Sequence, residues 1–145
     1  MTKGRIHSIC ISAARGTLKS EVKQAQLISG FGIEGDGHAG EWGRQVTCLA
    51  WESVQKINKE KNMNIGPGQM AENILIEGLD FSKIGVGEKI KIGSDAVLEV
   101  SQIGKEDHPS VVTRTFGVSL LPHEGLFCRV VSGGTIHQGD TAEII

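Results

Sequence analysis

The residues best suited to chemistry lie in one glycine-rich segment, residues 35–46. This segment contains Asp36, His38 and Arg44 among four glycines. Glycine leaves the backbone N–H groups open to a ligand, and the planar arginine fork supplies donors that suit oxyanions. The segment therefore predicts a local site for an anionic group. From these residue types alone a plain loop, in which the acid caps backbone N–H groups and the histidine is solvated, stays an open alternative.

A second segment with reactive residue types, residues 100–108, follows a predicted strand and ends before Pro109. Loops that leave a strand at the mouth of a barrel are common places for ligand sites. Lys105 would add positive charge to such a site, and His108 belongs to the residue type that titrates near neutral pH. Asp107 lies between them.

Four of these side chains are chemically able to bind a divalent metal. Asp36, His38, Asp107 and His108 would suit zinc, iron or manganese. Their spacing matches no specific metal-binding signature, so a metal site stays an alternative rather than the main prediction. The sequence also contains no nucleophile-elbow motif.

The two segments, with a third over residues 122–130, resemble the MOSC domain, the C-terminal domain of molybdenum cofactor sulfurases. That family carries Gly-Asp-x-His-Ala-Gly followed by Arg-Gln-Val. The residues that match this pattern are Asp36, His38, Gly40, Arg44, Gln45 and Val46. The resemblance extends over nearly the whole chain.

The resemblance implies that the protein binds or handles the molybdenum cofactor, with Arg44 anchoring phosphate or oxo groups. It implies further cofactor-binding residues, namely Asp36, His38, Gln45, Asn73, Lys105 and Arg129. Asp107 and His108 take the catalytic positions, and Asp107 is also the implied metal ligand. The implied partners are proteins of molybdenum cofactor biosynthesis or molybdoenzymes, and no pyridoxal phosphate is expected in this chain.

The chain departs from the family where a cysteine usually stands, because Asp107 occupies that position. A carboxylate cannot carry persulfide sulfur. Catalysis by sulfur transfer would then have to use Cys128, and reduction of an N-hydroxylated substrate at molybdenum is a second catalytic alternative. A partner-binding module without catalysis is the third. Cys10 and Cys48 are expected to be buried and structural.

Composition limits the classes of function. The sequence has 145 residues, which predicts one domain over residues 1–145. Its formal net charge of -2 argues against a general binder of nucleic acid or anionic membranes. No apolar run approaches the roughly 18 residues that a membrane span needs, and widely spaced cysteines favour a reducing compartment. We therefore expect a cytoplasmic protein.

The elements that must position these residues are mostly strands. Glycines separate many short apolar segments, which predicts a mainly β protein closed to protect its edges. Predicted strands cover residues 4–12, 21–27, 45–50, 88–92, 96–103, 126–131 and 140–145. Helices are predicted over 51–62 and 68–73, with a helical turn at 80–83. The resemblance likewise implies a closed β-barrel of complex topology with a few short peripheral helices.

Overall fold

A computed structural model describes residues 2–145. The strands within this range are β1 (Lys3–Ile11), β2 (Ser20–Val22), β3 (Gln24–Ile28), β4 (Gly32–Ile33), β5 (Val46–Ala50), β6 (Ile74–Glu77), β7 (Lys89–Ile92), β8 (Ala96–Ile103), β9 (Leu126–Ser132), β10 (Gly134–His137) and β11 (Thr141–Ile144). The helices are α1 (Trp51–Lys61), α2 (Val111–Phe116) and α3 (Leu121–Glu124), with a 3₁₀-helix over Phe81–Lys83. None of the helices within residues 2–145 has the length and apolar character that a membrane-spanning helix requires.

Seven strands form a closed barrel in the order β11-β7-β8-β9-β5-β6-β1. The ring closes because the start of β1 pairs with β11, with Lys3 opposite Glu143. Strands β5 and β6 are parallel, and the other neighbours in the ring are antiparallel. Strand β2 pairs with the end of β1, and β10, β3 and β4 form a separate small sheet. The predicted closed β-barrel is confirmed.

Alternating side chains fill the barrel. On β8, Ala96, Leu98 and Val100 are buried, while the residues between them are partly exposed. This period of two places every second residue inside. The alternation fails after Val100, because a bulge shifts the register before Gln102, and Gln102 is partly exposed where the period of two predicts a buried residue.

A second apolar cluster lies outside the barrel and beneath the helices. It includes Leu49 of β5, Leu75 of β6 and Phe127 of β9, packed with Val54 of α1 and Val112 of α2. Side chains alternate between the two faces of a strand. Leu49, Leu75 and Phe127 therefore face outward, and the residues next to them in sequence point into the barrel. This outer layer forms the base of the cavity described below.

The predicted helix over residues 68–73 is wrong, because this segment forms turns. Gly68 has φ +82° and Ala71 has φ +62°, and a right-handed helix accommodates neither value. The predicted strand over 21–27 is divided into β2 and β3 at Lys23. The helix predicted over 51–62 and the turn over 80–83 are confirmed by α1 and the 3₁₀-helix.

Five elements were absent from the sequence prediction: β4, β6, β10, α2 and α3. Helix α2 is capped by Ser110 and Thr113, which hydrogen bond reciprocally. A threonine in place of the usual Glu or Gln weakens the capping-box signal in the sequence. The other four elements have at most four residues each, too few to show a reliable period.

Candidate functional site

A buried ion pair lies beneath the glycine-rich segment. Lys19 Nζ is 2.8 Å from Asp36 Oδ1, and both side chains are fully buried. The backbone at Gly37 makes this possible, because its N–H donates to the Ser12 carbonyl at 2.7 Å. A Cβ at Gly37 would lie 2.7 Å from the Ala14 carbonyl carbon. Glycine therefore allows the two loops to close over the pair.

Asp36 is held as a carboxylate by its surroundings. Burial alone would raise its pKa, but contacts from His38 and Lys19 and the Ser12 amide outweigh burial and hold the pKa well below its usual range. The Ser12 N–H donates to Oδ1 at 3.1 Å, and the His38 N–H donates to Oδ2 at 3.1 Å. The loop conformation therefore depends on a charged Asp36.

His38 links this pair to the surface. Its Nδ1 lies 3.1 Å from Lys19 Nζ. Trp42 holds the histidine from the other side, because its Nε1–H donates to the His38 carbonyl at 2.7 Å and the two rings are nearly parallel. The Arg15 guanidinium packs 4.2 Å from the centre of the Trp42 ring. His38 thus occupies a fixed position.

A cavity of about 140 Å³ opens beside His38. Thr47 of β5 and Phe127 of β9 form part of its wall, and Lys105 and His108 reach it from the loop after β8. Several further lining residues come from the 68–71 turn and from α2 and α3 with the loop between them, namely Met70, Ala71, Val111, Val112, Ser119 and Leu121. Glu106 also lines the cavity, so basic, acidic and polar side chains meet an apolar wall there.

Two cations lie close together on one side of the cavity: Lys105 lines it, whereas Arg44 does not. The Arg44 guanidinium packs 5.4 Å from the centre of the Phe127 ring, and its Nε–H donates to Gln102 Oε1 at 3.3 Å. Burial and then the Arg44 charge lower the pKa of the neighbouring Lys105, while Glu106 and Asp107 oppose this. Glu106 approaches Arg44 at 3.5 Å but is 82% exposed, so it compensates the positive charge weakly.

The sequence comparison decides the family. The sequence model of the family described as MOSC domain matches residues 35–143. This range contains Asp36, His38, Arg44 and Lys105 and most of the residues that line the cavity. The chain belongs to the MOSC family. The resemblance seen in the sequence is therefore confirmed.

Solved structures share this MOSC fold. The YUAD protein from Bacillus subtilis is 19% identical over 98% of this chain and 95% of that chain, with a TM-score of 0.78. YiiM from Geobacillus stearothermophilus is 17% identical over 98% and 75% of the two chains, with a TM-score of 0.76. YiiM from Escherichia coli is 19% identical over 97% and 69%, with a TM-score of 0.69. At these identities the similarity shows the fold alone. No curated protein matches the chain.

Two of the predicted cofactor-binding residues, Gln45 and Asn73, use their side chains for hydrogen bonds inside the protein. The Gln45 amide donates to the Gly40 carbonyl at 2.9 Å and accepts from the Val130 N–H at 3.0 Å. Asn73 accepts from the Thr47 N–H at 3.0 Å and donates to the Cys10 carbonyl at 3.0 Å. Both are buried and neither lines the cavity, so their geometry is that of internal braces.

The other predicted MOSC site residues are divided between the cavity and the outer surface. His108 lines the cavity. Asp107, the predicted catalytic and metal-binding residue, does not line it, and its Oδ2 lies 3.2 Å from His123 Nε2 on the exposed surface. Arg129 is an exposed residue of β9 opposite Glu99.

The metal-site alternative requires ligands that converge. Among residues 2–145 no group of three or more His, Cys, Asp or Glu side chains is arranged to hold a metal ion. The Asp36 carboxylate is buried against Lys19, whereas Asp107 contacts His123. The described structure therefore does not bring the four predicted ligands together as one site.

The cysteines of this MOSC domain all lie in its interior. Cys10, Cys48 and Cys128 are each 0% exposed. A hydrogen bond with Cys48, followed by burial, raises the pKa of Cys128 well above its ordinary value, and burial raises the pKa of Cys10. Thiolates are the nucleophilic form of cysteine, so these thiols are poorly suited to accept or pass on sulfur.

Sequence reasoning missed two buried charged residues of the site, Lys19 and Glu72. Lys19 is one lysine in a polar stretch before a short strand, and such a lysine is ordinarily solvated. Glu72 accepts from the Gly68 N–H at 2.7 Å and the Met70 N–H at 3.1 Å. A buried carboxylate bound to its own turn leaves no pattern in the sequence, because the turn depends on tertiary packing.

Glu72 predicts a pH dependence of stability. Burial raises its pKa to about 7, against hydrogen bonds from backbone amides. Because the folded-state pKa lies above the unfolded value of about 4.3, the stabilisation is complete below that value and is lost as pH rises towards 7. We expect a loss of up to about 3 kcal/mol across this window. Chemical denaturation at a series of pH values measures it.

The matched variant for this measurement is Glu72→Gln. It removes the titrating group, so the part of the change in unfolding free energy with pH that is due to Glu72 disappears. One backbone amide also loses its acceptor, which lowers the stability of the variant. An unchanged slope in the variant would contradict the assignment to Glu72.

Proposed function

We propose that this MOSC domain binds the molybdenum cofactor, or a related anionic molybdenum species, in the maturation of molybdoenzymes. The observation that carries the proposal is a pair of adjacent cations beside a partly apolar cavity: Lys105 lines the cavity, and Arg44 packs against Phe127 of the cavity wall. An anion placed there would relieve the repulsion between them. Charge-assisted hydrogen bonds to phosphate or oxo groups are the strong interactions of this kind.

The cavity limits how much of the cofactor it would hold. Small-molecule sites usually enclose about 300–1,000 Å³, whereas this cavity measures about 140 Å³. Its basic residues suit an oxyanion group, and the rest of a pterin would lie outside the cavity. When bound, the cofactor would supply the molybdenum centre, while Lys105 and Arg44 bind its anionic group.

Sulfur transfer lacks a supporting observation. Each cysteine is buried, and Asp107 stands where the family usually has its thiol. A binding role therefore agrees with the geometry better than a sulfur-carrying role. Under this proposal the partners are proteins that make or receive the cofactor.

Variants of the two cations test the proposal. Arg44→Ala and Lys105→Ala are each expected to weaken cofactor binding at least about tenfold, because each removes a charged hydrogen-bond donor worth about 1.5–3 kcal/mol. The measurement is retention of the purified cofactor through gel filtration, followed by fluorescence of the oxidised pterin.

The matched control is Lys91→Ala, which removes an exposed lysine of β7 that does not line the cavity. It is expected to bind like the unmodified protein. Equal retention by all three variants would contradict the proposal, as would no retention by the unmodified protein. If the protein instead retained a partner from the same maturation process and no cofactor, the role would be that of a partner-binding module.

A further inference from the structure

The contacts of Lys19 account for all of its donors. Its ammonium lies 2.8 Å from Asp36 Oδ1, 3.0 Å from Ser12 Oγ and 3.1 Å from His38 Nδ1. An ammonium has three N–H donors and no acceptor. The contact with Nδ1 is therefore attractive only when this nitrogen carries a lone pair, which places the proton of the neutral imidazole on Nε2.

Asp36 does not compete for a proton on the same nitrogen. Its Oδ1 accepts from Lys19 and from the Ser12 N–H, and its Oδ2 accepts from the His38 N–H. The separation between Oδ2 and His38 Nδ1 is 3.7 Å, which exceeds a hydrogen-bond distance. Asp36 thus holds Lys19, and Lys19 contacts the ring.

The second ring nitrogen is directed to the accessible side. His38 lines the cavity and its side chain is 21% exposed. Within residues 2–145 no buried side-chain nitrogen or oxygen lacks a hydrogen-bond partner. Since His38 Nε2 forms no hydrogen bond to this part of the chain, it must be accessible, and His38 is one of the residues that line the cavity.

We propose that Lys19 is a positioning residue that fixes His38 as the Nε2–H tautomer and directs this donor into the cavity. A cavity that presents a fixed N–H together with the Lys105 ammonium selects ligands with acceptor oxygens, and tetrahedral oxyanions belong to this class. The preference of the cavity for oxyanions rests on the proposed function, whereas the tautomer of His38 does not.

The unmodified, ¹⁵N-labelled protein tests the tautomer directly by NMR of its histidine rings. The expected His38 spectrum shows an unprotonated Nδ1 and a protonated Nε2, and comparison with the His38→Gln variant identifies its signals among the five histidines. An Nδ1–H tautomer, or a mixture of both, would overturn the proposal. This experiment needs no folded Lys19 variant.

Titration with molybdate tests the consequence for binding. We expect a saturable shift of the His38 Nε2–H signal that chloride does not produce. Lys19→Met should abolish the single tautomer and weaken molybdate binding about tenfold, while Lys91→Met, an exposed lysine of β7, should change neither. A fixed Nε2–H tautomer with no response to molybdate would support the role of Lys19 and refute the oxyanion site. Lys19→Met with an unchanged tautomer would overturn the role of Lys19.

Discussion

Asp36→Asn is expected to lower the free energy of unfolding by about 3–5 kcal/mol, the usual cost of removing one partner from a buried ion pair. Asparagine has nearly the same shape and keeps one acceptor oxygen, but it leaves the buried Lys19 ammonium without a counter-charge. Domains of this size are stable by only about 5–15 kcal/mol. Urea denaturation followed by circular dichroism measures the change.

Two comparisons separate the ion pair from a general effect of replacing an aspartate. Asp107→Asn alters a half-exposed carboxylate and should cost less than about 1 kcal/mol. The double variant Lys19→Met/Asp36→Asn should be more stable than Asp36→Asn alone, because it leaves no unpaired buried charge. Equal costs for Asp36→Asn and Asp107→Asn would contradict this account of the pair.

The lowered pKa of Asp36 predicts that the protein loses stability as pH falls, whereas the raised pKa of Glu72 predicts a loss of stability as pH rises. The folded-state pKa of Asp36 is lowered, so its stabilisation is present above the unfolded value of about 3.9 and is lost as pH falls through the folded value. Stability of the unmodified protein should therefore fall below about pH 4. Asp36→Asn should lack this part of the pH dependence.

Gly68→Ala is expected to cost about 3–5 kcal/mol of stability, from backbone strain and overpacking together. Gly68 has φ +82°, and a Cβ there would collide with the Lys19 carbonyl oxygen and lie 2.7 Å from its carbonyl carbon. The Lys19 N–H also donates to the Gly68 carbonyl at 3.0 Å. Thermal unfolding of the variant measures the effect.

Gly139→Ala is the control for Gly68→Ala. Gly139 has φ +91° with no atom within 4 Å of an added Cβ, so it isolates the left-handed conformation and should cost about 1–2 kcal/mol. If both variants lost the same stability, close packing of the 68–71 turn against Lys19 would not be a source of stability.

The barrel was predictable because its signal is local. Alternation along β8 and the turn at Gly93 can both be read from neighbouring residues, and the structure has β7 and β8 paired with Ile92 opposite Ala96. The 68–73 segment misled the prediction because its conformation depends on packing against Lys19, which is distant in sequence.

The site was predictable in part, since the motif located the cavity but not the role of each residue. Arg44 and His38 belong to the same motif as Gln45, yet the Gln45 amide braces Gly40 and Val130 inside the fold. Lys19 is separated from its partner Asp36 along the chain and joins it only through the tertiary fold. A motif records which residues are required and cannot separate ligand contact from structural support.

The most direct test of the central claim is the molybdenum and pterin content of the protein purified from a cofactor-producing host. The account predicts near-stoichiometric amounts of both in the unmodified protein, and a large loss of both in the double variant Arg44→Ala/Lys105→Ala with the fold intact. An unmodified protein that contains neither molybdenum nor pterin, or a double variant that retains both in full, would contradict it.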